Sequence, residues 1–219
     1  MIRYPEQRVG VFIDVQNMYY SARFLYQRKV NFGNIVDEAT SDRKLIRALA
    51  YVVTTKTGDE TPFLDALRKQ GIETKEKELL EYNSGQKKAD WDVGITVDII
   101  KMLDRLDVVV LVSGDGDYVP LVEYCQSRGR QVEVISFRES TSTKLVESVD
   151  GYTDMSSDKK KFLIGNALAA AAPAPARGRG KHEEPAEEME PMSGGMFEPA
   201  EEEAPEDARE DRRGRKLSF

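Results

Sequence analysis

The chain has 219 residues, 40% of them hydrophobic, with a formal net charge of −7. That length holds one domain or one domain with an appendage, and the charge does not advertise nucleic-acid binding through bulk positive potential. A lone cysteine, Cys125, and a lone histidine, His182 in the C-terminal part, exclude an internal disulfide, a cysteine zinc site and a histidine-based triad or metal centre in the folded part.

The composition divides near residue 164. Every Ile, Val, Tyr and Trp lies in residues 1–164, which carry 24 Lys plus Arg against 26 Asp plus Glu. Residues 165–219 are built mainly from Ala, Pro, Gly, Glu and Arg, with 8 basic and 13 acidic residues. Such a segment buries too little apolar surface to offset its ordering entropy. It reads as a disordered acidic low-complexity tail. Its eleven acids between 183 and 207, after RGRGK and before RRGRK, make it a solvating linker, a docking segment for a protein partner or a mimic of nucleic acid. The start of the chain has only a short apolar run and no stretch long enough to span a membrane, so a cytoplasmic location is expected.

Val9–Asp14 (VGVFID) reads as a buried strand ending in an acid, and Gln16–Gln27 as a helix. Leu45–Thr54 is a second strand, Pro62–Lys69 a short helix, and Ile72–Leu79 a third, partly exposed strand. Residues 81–89 form a polar loop, after which Asp90 caps a helix running to about Asp104. Asp107–Ser113 (DVVVLVS) is the clearest buried strand. Tyr118–Arg128 is a helix stopped by Gly129, Gln131–Ser136 a fifth strand, and Ser142–Val149 a last short helix. Strands alternating with helices imply an α/β fold with a mainly parallel sheet of about five strands and helices on both faces. Function in such sheets collects beyond the carboxyl ends of the strands, at the topological switch point. Neither a GxGxxG after the first strand nor a GxxxxGK[ST] is present, so the usual dinucleotide and P-loop sites are excluded.

Two strands end in acids at that place. The first gives FIDVQN, with Asp14 and Asn17, and the fourth VSGDGDYVP, with Asp115 and Asp117. Carboxylates converging without histidine or thiolate suit Mg²⁺ or Mn²⁺. Helix capping explains a single strand-end Asp equally well. It explains three on two strands poorly, since close carboxylates repel unless a cation or proton compensates. On a helical wheel of roughly 100° per residue, Val93, Val97, Ile99, Ile100 and Leu103 form an apolar stripe expected to face the sheet. Asp92 falls inside it, as a cap or a metal ligand, whereas Asp98 falls on the polar side with Lys101 and Arg105 as a solvated acid. Tyr19, Tyr20, Trp91 and Tyr118 either stack nucleic-acid bases or, for at least two of them, pack on the sheet.

The series FIDxxN, KxADWDV and LVSGDGDYVPLVEYCQSRGRQVEV resembles the NYN domain, in its LabA-like branch, a relative of PIN nucleases. The resemblance covers about residues 8–155. It implies a PIN-like three-layer sandwich and a metal-dependent endoribonuclease that hydrolyses RNA, with Mg²⁺ or Mn²⁺ as cofactor. Asp14, Asn17, Asp92, Asp115 and Asp117 fall on its motif positions, and Asp98 on a commonly acidic one. Lys88 lies where the family often has a lysine before the helix. On this reading Asp14, Asp92, Asp115 and Asp117 are metal ligands and catalytic, with Asp98 a lesser candidate. Asn17 orients a ligand or the phosphate, Lys88 stabilises charge on it, and Ser113 donates to a carboxylate or closes the strand.

Single-stranded RNA is then the expected partner, and homodimerisation is left open. A haloacid-dehalogenase-like phosphatase, suggested by GDGDY, needs a second acid two residues after Asp14 and meets Gln16 instead. A non-catalytic RNA-binding or regulatory module on the same fold is the remaining alternative.

Overall fold

The computed structural model describes residues 3–54, 60–78, 80–81, 87–88 and 90–165, with backbone alone at 80–81 and 87–88. All of these belong to one compact unit, Met1–Pro173. The tail expected beyond residue 164 lies outside the described residues from 166 onward.

Strand β1 (Arg8–Asp14) runs into helix α1 (Val15–Tyr26), followed by the two-residue β2 (Lys29–Val30), α2 (Phe32–Thr40) and β3 (Lys44–Thr54). Next come α3 (Thr61–Lys69), β4 (Glu73–Glu78), the short β5 (Leu80–Glu81) and β6 (Lys87–Lys88), and α4 (Asp92–Met102). The chain then continues through β7 (Val108–Val112), α5 (Val119–Ser127), β8 (Gln131–Ser136), α6 (Thr143–Ser148), β9 (Gly151–Asp154), α7 (Lys159–Phe162) and β10 (Leu163–Ile164).

Six strands form one sheet in the order β4-β3-β1-β7-β8-β9. Every neighbouring pair in it is parallel. From β1 the chain builds outward through β3 and β4, then crosses to the other side and builds through β7, β8 and β9. The switch therefore falls between β1 and β7, which sit side by side. Beyond their carboxyl ends lie the loops after β1 and β7, the place where sheets of this topology gather functional groups.

The alternation of the strands sorts the core into two layers. Val9, Val11 and Ile13 of β1 join Val108, Val110 and Val112 of β7 on one face, under α1, α2 and α3. Phe12 of β1 joins Val109 and Leu111 of β7 on the other face, under α4, α5 and α6. By the same period of two, Asp14 falls on the Phe12 face, toward α4. At the opposite end of the sheet, buried Glu133 of β8 accepts from Arg43 at 2.6 and 3.0 Å. Among the described residues no helix is long and apolar enough to cross a membrane.

The structure adds to or changes the expected elements in four places. The sheet has a sixth parallel strand, β9, whose four residues GYTD are all half-buried; it lacks the apolar alternation that marks a strand in sequence. Helix α2 was not foreseen because Gly33 and Asn34 interrupt its start. Its buried residues Phe32, Ile35, Val36 and Ala39 nevertheless keep helical spacing, and Asn31 caps it by accepting from the Asn34 amide at 3.2 Å. Asp90 does not cap α4: Trp91 stands at that position, without a side-chain cap bond. The stretch expected as a polar loop also contains the antiparallel pair β5–β6.

Candidate functional site

Asp14 ends β1 and caps α1. Its Oδ1 accepts from the Asn17 amide at 3.0 Å, and the residue is buried, at 8% exposure. Burial pushes its carboxyl up to about 6, helped by the charges of Asp92 and Asp115 and opposed by the amides of Asn17 and Gln16. Asn17 also reaches across the switch point, where its Oδ1 accepts from the Gly114 amide at 3.1 Å. That bond ties the loop after β1 to the loop after β7.

The second loop is shaped by two glycines. A side chain at Gly114 would stand 2.6 Å from the Ser140 carbonyl, and one at Gly116 would stand 2.7 Å from Ser142 Oγ. The segment 140–142 crosses directly over the loop, and its Ser142 amide donates to the Gly114 carbonyl at 2.9 Å. Held in this way, Asp115 caps the following turn by accepting from the Asp117 amide at 2.9 Å. Ser113 is fully buried, and its Oγ accepts from the Asp115 amide at 3.2 Å. Its place is inside the loop. Asp117 is exposed.

Asp92 opens α4 and accepts from the buried Tyr118 hydroxyl at 2.9 Å. Its carboxyl is raised, chiefly by burial and further by Asp115, Asp90 and Asp117, against the lowering effect of the Tyr118 bond. Tyr118 is itself raised by burial and by the charges of Asp14, Asp92 and Asp115 around it. Its hydroxyl therefore stays protonated and remains a donor. The sequence marked Tyr118 only as a ring for stacking or packing; its hydroxyl is what fixes Asp92, and no local pattern announces that.

The helical wheel placed only part of the inward face of α4, since Ile99 and Leu103 are buried as expected but the rest of its stripe is not. Ile95, Ile99 and Met102 are buried, whereas Val93, Val97 and Ile100 are 73%, 40% and 42% exposed. This helix is apolar on two sides, and only packing decides which one faces inward. Asp92 and Asp98 flank the buried arc on opposite sides. Asp98 is not a solvated acid: it accepts from the Tyr51 hydroxyl at 2.9 Å and from Lys75 at 2.6 Å, over the β3–β4 edge. Burial would raise it, but the Lys75 and Tyr51 bonds outweigh burial and hold it lowered.

Of the four aromatics, Tyr118 is buried, and Trp91 packs edge-on to Tyr51 with its Nε1 donating to the Val52 carbonyl at 3.0 Å. Tyr19 and Tyr20 are exposed. Lys88 belongs to β6, and its side chain lies outside the described residues.

The structure thus brings Asp14, Asp92 and Asp115 within mutual electrostatic reach around Tyr118, with Asp117 beside Asp92. No Lys or Arg among the described residues forms an ion pair with any of them, nor are three or more His, Cys, Asp or Glu gathered into a ready-made metal cage. Carboxylates without a compensating cation repel and stand apart. In donor chemistry the set fits a hard divalent cation: all ligands are oxygens, and one of them is a buried anion with only amides for partners.

The domain is a parallel α/β fold with acids and no histidine or cysteine at its switch point, and the family it matches is of the PIN-like nuclease type. Residues 8–157 match the NYN domain, and the chain belongs to that family, on its LabA-like side. It is 27% identical over 168 residues to the "Low amplitude and bright protein LabA" of Synechococcus elongatus, covering 71% of this chain and 87% of that protein. A protein of unknown function from Vibrio parahaemolyticus has a solved structure 32% identical in sequence. It superposes with a TM-score of 0.67, over 75% of this chain and all of the other.

Proposed function

We propose that the protein is a metal-dependent endoribonuclease that hydrolyses single-stranded RNA with Mg²⁺ or Mn²⁺ held among Asp14, Asp92, Asp115 and Asp117. The observation that carries this is Asp14, a buried carboxylate at the switch point that faces two further acids and has no cation partner among the described residues. Burying such a charge is costly unless something positive joins it. A divalent cation bound there supplies Lewis-acid polarisation of the phosphodiester and neutralises charge developing on it.

The protein's own groups do the positioning. The Asn17 and Gln16 amides aim Asp14, and the Tyr118 hydroxyl aims Asp92. Ser113 and the two glycines set the backbone that presents Asp115 and Asp117. Asn17 spends its Oδ1 on Gly114, which leaves its Nδ2 to donate to a phosphate oxygen.

The test is cleavage of an unstructured RNA by the full chain. Cutting should require Mg²⁺ or Mn²⁺, stop with excess chelator, and fall by more than about a hundredfold in Asp14→Asn, since even outer-shell changes at metal sites cost roughly 10–100-fold. Cleavage that persists in chelator removes the metal mechanism. RNA binding without turnover under any divalent ion would instead support a non-catalytic module, a reading favoured by the absence of a closed cage among the described residues.

A further inference from the structure

On the other face of the sheet from the acids, but at the same carboxyl edge, lies a pocket of about 620 Å³ between α1, the end of β3 and α3. We propose that this pocket receives one unstacked base of the RNA strand whose backbone crosses the acid cluster. The identity of its ligand rests on the endoribonuclease reading.

The two sites share a hinge of sequence. Val15 and Gln16 line the pocket and directly follow Asp14, and the Gln16 amide donates to the Asp14 carboxylate. A strand with its phosphate at Asp14 can therefore place a neighbouring base over the first turn of α1. The pocket's chemistry matches a base better than an aliphatic ligand. Tyr19 and Tyr20 stand exposed at its rim in edge-to-face contact, 5.5 Å between ring centres. Arg23 donates to the Tyr19 hydroxyl at 2.8 Å and lies over that ring, so Tyr19 is held in place before any ligand arrives. Phe63 and Val53 give the lining an apolar wall.

The polar side chains on the lining are Gln16, Gln70, Lys29 and Glu60, with the hydroxyls of Tyr19 and Tyr20. The side-chain amides of Gln16 and Gln70 line the pocket without a hydrogen bond to another described residue, and each offers both a donor and an acceptor to a base edge. Lys29, exposed on the same lining, supplies a cation for a flanking phosphate. Aromatic faces, unfilled amides and a cation beside a phosphodiester-handling edge are the equipment for holding a splayed base of a single strand. A duplex cannot present a base in this way, which makes the pocket a filter for unpaired RNA.

The test uses the full chain in excess chelator, so that nothing is cut, with a fluorescent RNA decamer and a set of decamers each lacking one base. One abasic position should weaken binding by about tenfold, as expected for loss of one base–aromatic stack, and the others should matter little. Ala66 lines the pocket and is exposed on α3, so Ala66→Trp fills the space without displacing core. This variant and Tyr20→Ala should bind the intact decamer about tenfold more weakly and lose their sensitivity to the abasic position. Tyr20→Phe should restore both, and unchanged thermal midpoints verify the fold. Wild-type affinity in Ala66→Trp and Tyr20→Ala, or equal weakening of intact and abasic strands, overturns the pocket. The nuclease reading fails separately: base-sensitive binding without cleavage in Mg²⁺ or Mn²⁺ sinks that reading and keeps the pocket. Metal-dependent cleavage that is indifferent to the pocket variants does the reverse. No RNA binding at all removes both.

Discussion

Two buried carboxylates sit at opposite ends of the same parallel sheet, and their surroundings differ completely. Glu133 is clasped by Arg43, a bidentate partner as buried as itself, with Arg3 at 3.4 Å behind it. Asp14 meets only backbone amides and the fields of two other acids. The first arrangement is complete and holds the amino-terminal edge of the sheet together. The second has no cationic partner among the described residues, which is the difference the proposed metal site rests on. The same contrast recurs on the surface, where Asp107 is met by Arg8 and Glu73 by Arg47.

The largest effect should come from breaking the completed pair. Arg43→Met leaves Glu133 buried with only the part-exposed Arg3 at 3.4 Å, and losing one partner of a buried pair costs about 3–5 kcal/mol. Chemical denaturation should show a loss of that size, with the acids of the switch point untouched. A loss below about 1 kcal/mol would mean that Glu133 is far better solvated than its burial indicates, and the contrast with Asp14 would weaken.

The opposite sign is expected at the acid cluster. Asp14 is raised from 3.8 to about 6 in the folded protein. A raised carboxylate contributes stability that is fully present below its unfolded value and lost as pH rises through its folded value. Without metal, the wild type should therefore lose stability between about pH 4 and pH 7 relative to Asp14→Asn. The gap should reach about 3 kcal/mol at neutral pH, at 1.36 kcal/mol per unit. Asn keeps the cap on α1, so the variant should be more stable and yet inactive, the trade expected where a site holds destabilising charge for function. If Asp14→Asn is less stable than wild type at pH 7.5 without metal, the cluster is not strained.

On the proposed function, a divalent cation relieves that strain. With Mg²⁺ at about 100 times its dissociation constant, the wild type should gain roughly 2.7 kcal/mol by mass action. Asp14→Asn should gain much less. Equal thermal shifts in both proteins would place the ion elsewhere.

What the sequence disclosed and what it hid follow from the range of the interactions. Strands such as DVVVLVS and the acids that end them are local patterns, readable because a buried parallel strand must be apolar on both faces. Asp14 and Asp115 lie just where those strands end for the same reason. Tyr118 as the donor to Asp92, and the segment 140–142 that forces glycine at 114 and 116, depend on contacts between distant elements and leave no period behind. Helix α4 shows the limit most clearly. Two apolar stripes compete on it, and the choice between Val93–Val97–Ile100 and Ile95–Ile99–Met102 is made by the sheet beneath.

That choice also decides Asp98 and the smallest expected effect. The wheel left Asp98 in solvent, and the family pattern lifted it toward the metal site. The structure instead gives it two partners, the Tyr51 hydroxyl and Lys75, on the β3–β4 side of the helix. Its carboxyl is lowered, so its contribution to stability is present above the unfolded value near 3.8 and is lost as pH falls through the lower folded value. Asp98→Asn should therefore cost stability at neutral pH and converge with the wild type in acid, the mirror image of Asp14→Asn. Lys75 is 38% exposed, so screening limits that cost to about 1 kcal/mol or less. Because Asn can still accept from Tyr51, RNA cleavage should change little, and Lys75→Met should reproduce the stability loss without adding to it in the double variant. A collapse of cleavage in Asp98→Asn with the fold intact would move this acid into the reacting centre. The division between partnered and unpartnered carboxylates would then no longer separate scaffold from site.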